Sequence, residues 1–226
     1  MSTLSRKDIE AIVNQSISSD RFASYSTRGK SDAVEGMAYY LWNIALCEAL
    51  YPSLDVLEVA LRNQIHNVLT DQLGREDWYD MKGFLHGNEL DKVKASKGKL
   101  KKRGKARKPG RIIAELNFGF WTALFGNPYE KFWYKIIKSV FPNERSISIK
   151  LVRQRLHYLK LLRNRVYHYE SILGLNDLPS LNLKAQEIIG WINPDFNQII
   201  KPMDRYEAVY DIHVRPFLEF LPTSKG

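Results

Sequence analysis

The chain has 226 residues, 44% of them hydrophobic and 12% aromatic, which suffices for a buried core and excludes a chain disordered throughout. Its net charge of +9 favours a polyanionic partner such as nucleic acid. The single cysteine, Cys47, excludes an intramolecular disulfide and a cysteine-rich zinc site.

The periodicity predicts helices almost everywhere. Ile9, Ile12, Val13 and Ile17 space a short amphipathic one. SSDRFASYSTRGKSD (18 to 32) reads as a turn-rich stretch. Ser31 or Asp32 is placed to cap the next helix, which carries Met37, Tyr40, Leu41, Ile44 and Ala45. Pro52 marks the start of a third, running through Leu54, Leu57, Leu61, Ile65, Val68 and Leu69 to a C-cap at Gly74. Residues 75 to 90 read as irregular.

The basic run at 92 to 111, KVKASKGKLKKRGKARKPGR, extends a helix from about Asn88. Gly98, Gly104, Pro109 and Gly110 interrupt it, so it reads as partly a mobile insertion. RIIAELNFGFWTALFG and PYEKFWYKIIKSVF follow as two helices joined at Gly126-Asn127-Pro128. Then come a helix from about Ser148 to Leu173, the helical LNLKAQEIIGWI, and a long helix near 195 to 220. No period-two run is found. The expected fold is all-α, an irregular helical bundle forming one domain over residues 1–226. No apolar run approaches the roughly 18 residues of a membrane span. MSTLSRKDIEAI does not have the pattern of a signal peptide. A cytoplasmic protein with no membrane partner is the expectation.

The charge is concentrated. Residues 92 to 111 hold 11 Lys or Arg and no acid, so the rest of the chain carries −2 of the net +9. Lys101, Lys102, Arg103, Lys105, Arg107 and Lys108 are the candidate contacts to a nucleic-acid backbone. The run has no aromatic residue for base stacking, so sequence-specific binding is not expected of it. Its alternative is a solvated loop.

LLRNRVYHYE (161 to 170) places Arg163, Asn164 and His168 on a helix whose apolar stripe is Leu156, Leu159, Leu162, Val166, Tyr169 and Leu173. An imidazole moves protons near neutral pH, a guanidinium holds phosphate oxygens in a fork, and an amide orients either. That set suits cleavage of an RNA phosphodiester, because RNA brings its own 2′-hydroxyl nucleophile. The alternative is a solvated face with a packed histidine.

RNRVYH fits the Arg-x4–6-His pattern of HEPN domains. YYLWNIALCEALYPSLDVLEVALRNQI, IIAELNFGFWTALFG and LLRNRVYHYE, in that order over about residues 38 to 170, resemble the Abi-like (abortive infection) family. The resemblance implies a HEPN-like helical bundle. It implies a metal-independent endoribonuclease of phage defence or a toxin system, needing no cofactor. It further implies a homodimer with two Arg-His sites meeting at the interface, and RNA and an antitoxin as partners. The catalytic residues it points to are Arg163, Asn164 and His168. The basic run departs from the family as an unusually charged variable region. The rival expectation is a non-catalytic helical module that binds RNA or a partner.

Elsewhere, Glu58, Arg62 and His66 form one helix stripe, read as an intrahelical salt bridge and a packed histidine, or as the lining of a cleft. VALRNQIHNVL echoes KLLRNRVYHYE, with one residue fewer between Arg and His. Phe118, Phe120, Trp121, Phe125, Trp133 and Tyr134 are expected in a core or interface. The five histidines are scattered with no HExxH, so no metal site is expected.

Overall fold

Asp32 begins the longest helix. Its carboxylate accepts the N–H groups of Val34 and Glu35 at 2.8 and 3.0 Å, satisfying two of the donors every helix start leaves open. The computed structural model describes residues 4–222. Met1, Ser2 and Thr3, which open the stretch compared with a signal peptide, lie outside them. Among the described residues there is no strand. The helices are α1 (Arg6–Ile12), α2 (Ser19–Arg28), α3 (Ala33–Leu73), α4 (Gly87–Lys102), α5 (Pro109–Ala114), α6 (Phe118–Ala123), α7 (Glu130–Val140), α8 (Ile149–Tyr167), α9 (Leu178–Ile192), α10 (Pro194–Ile200), α11 (Tyr206–Ile212) and α12 (Arg215–Glu219). No helix is long and apolar enough to cross a membrane.

Pro52 does not start a helix; it lies inside α3, which is 41 residues long. Proline cannot donate to the carbonyl four residues back, at a cost of about 3 kcal/mol. Leu46, Ala49, Leu50, Ser53, Leu54 and Leu57, spaced by three and four, are each at most 2% exposed. At roughly 1.5–3 kcal/mol for each fully buried leucine, that unbroken stripe outweighs the missing bond. Gly74 ends α3 at φ 68°, as expected of a C-cap.

Where a turn-rich stretch was expected, α2 forms. Ser18 caps it by accepting the Arg21 N–H, and Phe22 and Tyr25 bury one face. Gly29 and Gly36 let α2 and α3 approach. A Cβ on Gly29 would meet the Gly36 nitrogen at 2.4 Å, and one on Gly36 the Phe22 ring at 2.8 Å.

The helix expected over 111 to 126 is two, because Asn117 caps α6 through the Phe120 N–H at 3.1 Å. The long helix expected near 195 to 220 is α10, α11 and α12. Pro202 follows α10, and His213 at φ 54° separates α11 from α12. The basic run is largely helical: Gly98 is absorbed into α4, which buries Val93, Ser96 and Leu100.

The single domain expected from sequence groups into two compact units. The first comprises residues 1–52, 162–182 and 201–226, the second 53–161 and 183–200. The first packs Ile9, Val13, Phe22, Tyr25 and Met37 together. The second has the larger core, in which Trp78, Trp121, Trp133, Phe118, Phe120 and Phe125 are at most 1% exposed. Those aromatics are core, as read from the sequence, except Tyr134, which is 81% exposed.

His66 belongs to this second core. Its Nδ1 accepts the Trp78 Nε1–H at 3.0 Å, which requires a neutral ring. Burial holds His66 below its ordinary value of 6.5, against a smaller upward pull from Glu76. The unfolded chain therefore takes up this proton at higher pH than the folded one. Its contribution is complete above the ordinary value and is lost as pH falls through it toward the lower folded value. His213, held down by burial and then Arg215, adds a slope of the same sign. The unfolding midpoint is expected to drop between about pH 7.5 and 5.5, and less steeply in His66→Gln. An equal slope in that variant would show that the histidine does not set it.

Candidate functional site

The motif straddles the end of a helix. α8 buries Leu156, Leu159, Leu162 and Val166 as expected, but it stops at Tyr167, so Leu173 is not on it and Tyr169 is 79% exposed. The Glu170 N–H bonds the Arg165 carbonyl at 2.9 Å, and the Tyr169 N–H bonds the Val166 carbonyl at 3.4 Å. This is a Schellman ending, whose pivotal residue adopts the left-handed conformation. That pivot is Tyr169, at φ 59°. α4 ends by the same pair of bonds, and there the pivot is Gly104 at φ 64°. A left-handed tyrosine costs about 1–2 kcal/mol, and strain of this kind gathers where a side chain must be held in place. Tyr169→Gly is expected to raise stability by about 1 kcal/mol, measured by denaturant unfolding. A fall in stability would mean that the exposed ring packs.

His168 is the residue between helix and pivot. Its N–H bonds the Asn164 carbonyl at 2.9 Å and its side chain is exposed. Asn164, one turn earlier, is exposed as well. Arg163 is half-buried, its guanidinium 4.0 Å from the centre of the Tyr167 ring. Tyr167 in turn stacks on Tyr51, with centroids 5.3 Å apart. The motif residues thus share one helix end, with Asn164 and His168 open to solvent and Arg163 set on an aromatic ring.

Three residues not singled out by the sequence pattern hold this helix end. Arg21 Nη2 donates to the His168 carbonyl at 3.1 Å, and Arg28 Nη2 to the Leu173 carbonyl at 2.6 Å. The Ile172 N–H donates to Asn43 Oδ1 at 2.9 Å. Arg165, within the motif helix, donates to the Ser171 carbonyl at 2.9 Å. A guanidinium suits the His168 carbonyl because carbonyls at a helix C-terminus lack intrahelical donors, while the Ser171 and Leu173 carbonyls lie in the segment beyond the end of α8. Arg21 and Arg28 lie on α2, in the stretch read as turns; the usable signal there was a serine cap followed by Phe22 and Tyr25 at helical spacing.

Beside the helix end is a cleft of about 660 Å³, lined in part by Tyr40, Ile44, Tyr51, Val166 and Tyr169. Arg21, Glu48 and Arg205 also line it, and Arg205 pairs with Glu48 at 2.8 Å. Cys47 lies in its wall, and burial pushes the thiol up to about 11, so it is no ready nucleophile. Burial likewise raises the Tyr25 phenol, against a hydrogen bond with Ser171.

The basic run belongs to the second unit, the motif to the first. Lys101, Lys102, Arg103, Lys105, Arg107 and Lys108 are all exposed. Arg103 pairs with Glu115 at 2.7 Å, and Arg107 lines a second cleft of about 490 Å³ with Asp77, Asp80 and Lys97. Arg62 donates to Asn63 at 3.2 Å, and His66 is the packed histidine already described. Among the described residues no three His, Cys, Asp or Glu side chains are grouped so as to hold a metal ion.

No family model, curated protein or solved structure matches the chain.

Proposed function

We propose that this chain is a metal-independent endoribonuclease of the HEPN type, serving abortive infection or a toxin system. His168 acts as acid or base, Arg163 stabilises the phosphate and the charge of the transition state, and Asn164 orients. The observation that supports this reading is the exposure of His168. A packed structural histidine would be buried and bonded by its ring, as His66 is; the His168 ring stands at the surface while its backbone is held by Asn164 and Arg21. The Abi-like resemblance supplies the reaction class. It also carries the HEPN-like bundle, the homodimer and an antitoxin partner. The test is incubation of the full chain with RNA and with DNA of the same sequence in EDTA. RNA alone is expected to be cut, leaving 2′,3′-cyclic phosphate ends, because the 2′-hydroxyl is the nucleophile.

A second reading, a non-catalytic RNA- or partner-binding module, draws on the seating of Arg163 over Tyr167. A wild type that cuts no RNA under any condition would favour it.

The ribonuclease reading and the RNA-binding reading both use the basic run as a backbone clamp. Replacing Lys101, Lys102, Arg103 and Lys105 by Gln is expected to weaken RNA binding and flatten its dependence on salt, by about one unit of log-log slope for each phosphate that is no longer neutralised. An unchanged slope would remove this segment from the interface.

A further inference from the structure

The first unit holds a further cavity, of about 480 Å³, walled by aromatic rings. Tyr39 and Trp42 line it from α3, Tyr210 from α11, and His213 from the residue after α11. The rings brace one another. The His213 ring lies 4.2 Å from that of Trp42 and meets that of Tyr39 edge-on, at 5.6 Å and 89°. The Tyr210 ring lies 6.0 Å from that of Trp42. Trp42 is 6% exposed, and its Nε1 donates to the Val209 carbonyl at 2.9 Å, which fixes α11 against α3. The rings around Trp78 close into core; these border open space, which Asp177 and Arg28 line as well. Asp177 and His213 stand at φ 58° and 54°, in the left-handed region that few residues other than glycine adopt.

The face of an aromatic ring attracts cations, and a substituted ammonium, which has little water to lose, is well matched to it. Burial, then Arg215, holds His213 below its ordinary value of 6.5, so near neutral pH its ring does not repel a cation. Arg28 uses one of its five N–H donors on the Leu173 carbonyl, at 2.6 Å, which leaves others for an anion. A simple cation would be repelled by Arg28, and a simple anion by Asp177. A molecule that carries both charges answers both. The volume lies within the roughly 300–1,000 Å³ of small-molecule sites.

We infer that this cavity binds a small zwitterion of the betaine class: the rings of Tyr39, Trp42 and Tyr210 and the Asp177 carboxylate take the ammonium, and the Arg28 guanidinium takes the carboxylate. Arg163, Asn164 and His168 do not line the cavity, and its ligand has no part in the ribonuclease reading.

The test is a titration of the ¹⁵N-labelled full chain with glycine betaine, followed through the Trp42 indole N–H signal. A saturable shift is expected. 3,3-Dimethylbutanoate has the same shape, with carbon in place of the nitrogen, and should leave the signal in place at the same concentration. Choline, which lacks the carboxylate, should bind about tenfold more weakly than betaine. Asp177→Asn removes the charge and suits the left-handed backbone, and Tyr210→Leu removes a ring that is 36% exposed. Each should weaken betaine binding about tenfold or more, with the unfolding midpoint near that of the wild type. Should Tyr210→Leu unfold, Asp177→Asn decides alone. An unmoved Trp42 signal, an equal response to 3,3-dimethylbutanoate, choline bound as tightly as betaine, or folded variants that bind as well as the wild type would each overturn the inference. RNA cleavage is unaffected by any of these outcomes, so the two proposals fail separately.

Discussion

His168→Ala is expected to end RNA cleavage while leaving the unfolding midpoint where it is. General acid–base groups contribute about 10²–10⁴ in rate, and the exposed imidazole removes little from the core when it goes. The bonds at residue 168 come from the backbone and survive the substitution. Arg163→Ala should reduce cleavage to a similar degree. It also takes the guanidinium off the Tyr167 ring, a stability cost of about 0.5–1 kcal/mol. Arg163→Lys should restore little, since an ammonium cannot reproduce the planar fork. Cleavage that persists in both alanine variants, requires Mg²⁺, or leaves 5′-phosphates would place the chemistry elsewhere. Early melting of His168→Ala together with an inactive wild type would make the histidine structural.

The largest effect on stability is expected at Trp78. Its ring is fully buried among Tyr79, Phe84, Phe120 and Trp121, and its Nε1 donates to His66. Trp78→Ala opens a cavity and leaves the His66 acceptor without its donor. The destabilisation should be about 3–5 kcal/mol, which lowers the melting temperature by roughly 10 °C in a chain of this length. Trp78→Phe retains most of the apolar packing and should cost less than half as much. Equal effects in the two variants would show that the bond to His66, not the ring, sets the stability. Both are read by thermal unfolding at a pH where His66 is neutral.

The parts of the fold legible in the sequence were those set by local chemistry. Asp32 capped α3, Gly74 ended it, and the Leu156-Leu159-Leu162-Val166 stripe faced the core, because capping and helical spacing act within a few residues. The continuation of α3 through Pro52 was hidden, since it depends on burial that a local rule for proline does not count. The division of the last segment by Pro202 and His213 was hidden for the opposite reason: its apolar spacing ran on while the backbone did not. At the candidate site, the residue types on one helix made Arg163, Asn164 and His168 candidates, and the Abi-like resemblance singled them out. The exposure of His168 could not be read there, because the helix ends at Tyr167 by placing a tyrosine where α4 uses glycine. Arg21, Arg28 and Asn43 act on residues more than 120 positions away in the chain, and no sequence window joins them.

The order in which the first unit's segments occur along the chain has a consequence for synthesis. Arg21, Asn43 and Tyr51 emerge first, Val166 and Tyr169 more than a hundred residues later, and Arg205 after them. At about 5–20 residues per second, the ribosome spends roughly 10–40 s between the first of these and the last. Until Val166 and Tyr169 follow, the α2 arginines have no helix end to hold, and until Arg205 follows Glu48 lacks its ion-pair partner. The second unit also contains residues 183–200, so neither unit can be finished before most of the chain has been made. The lining of the cleft beside the helix end is therefore incomplete until residue 205 has been made.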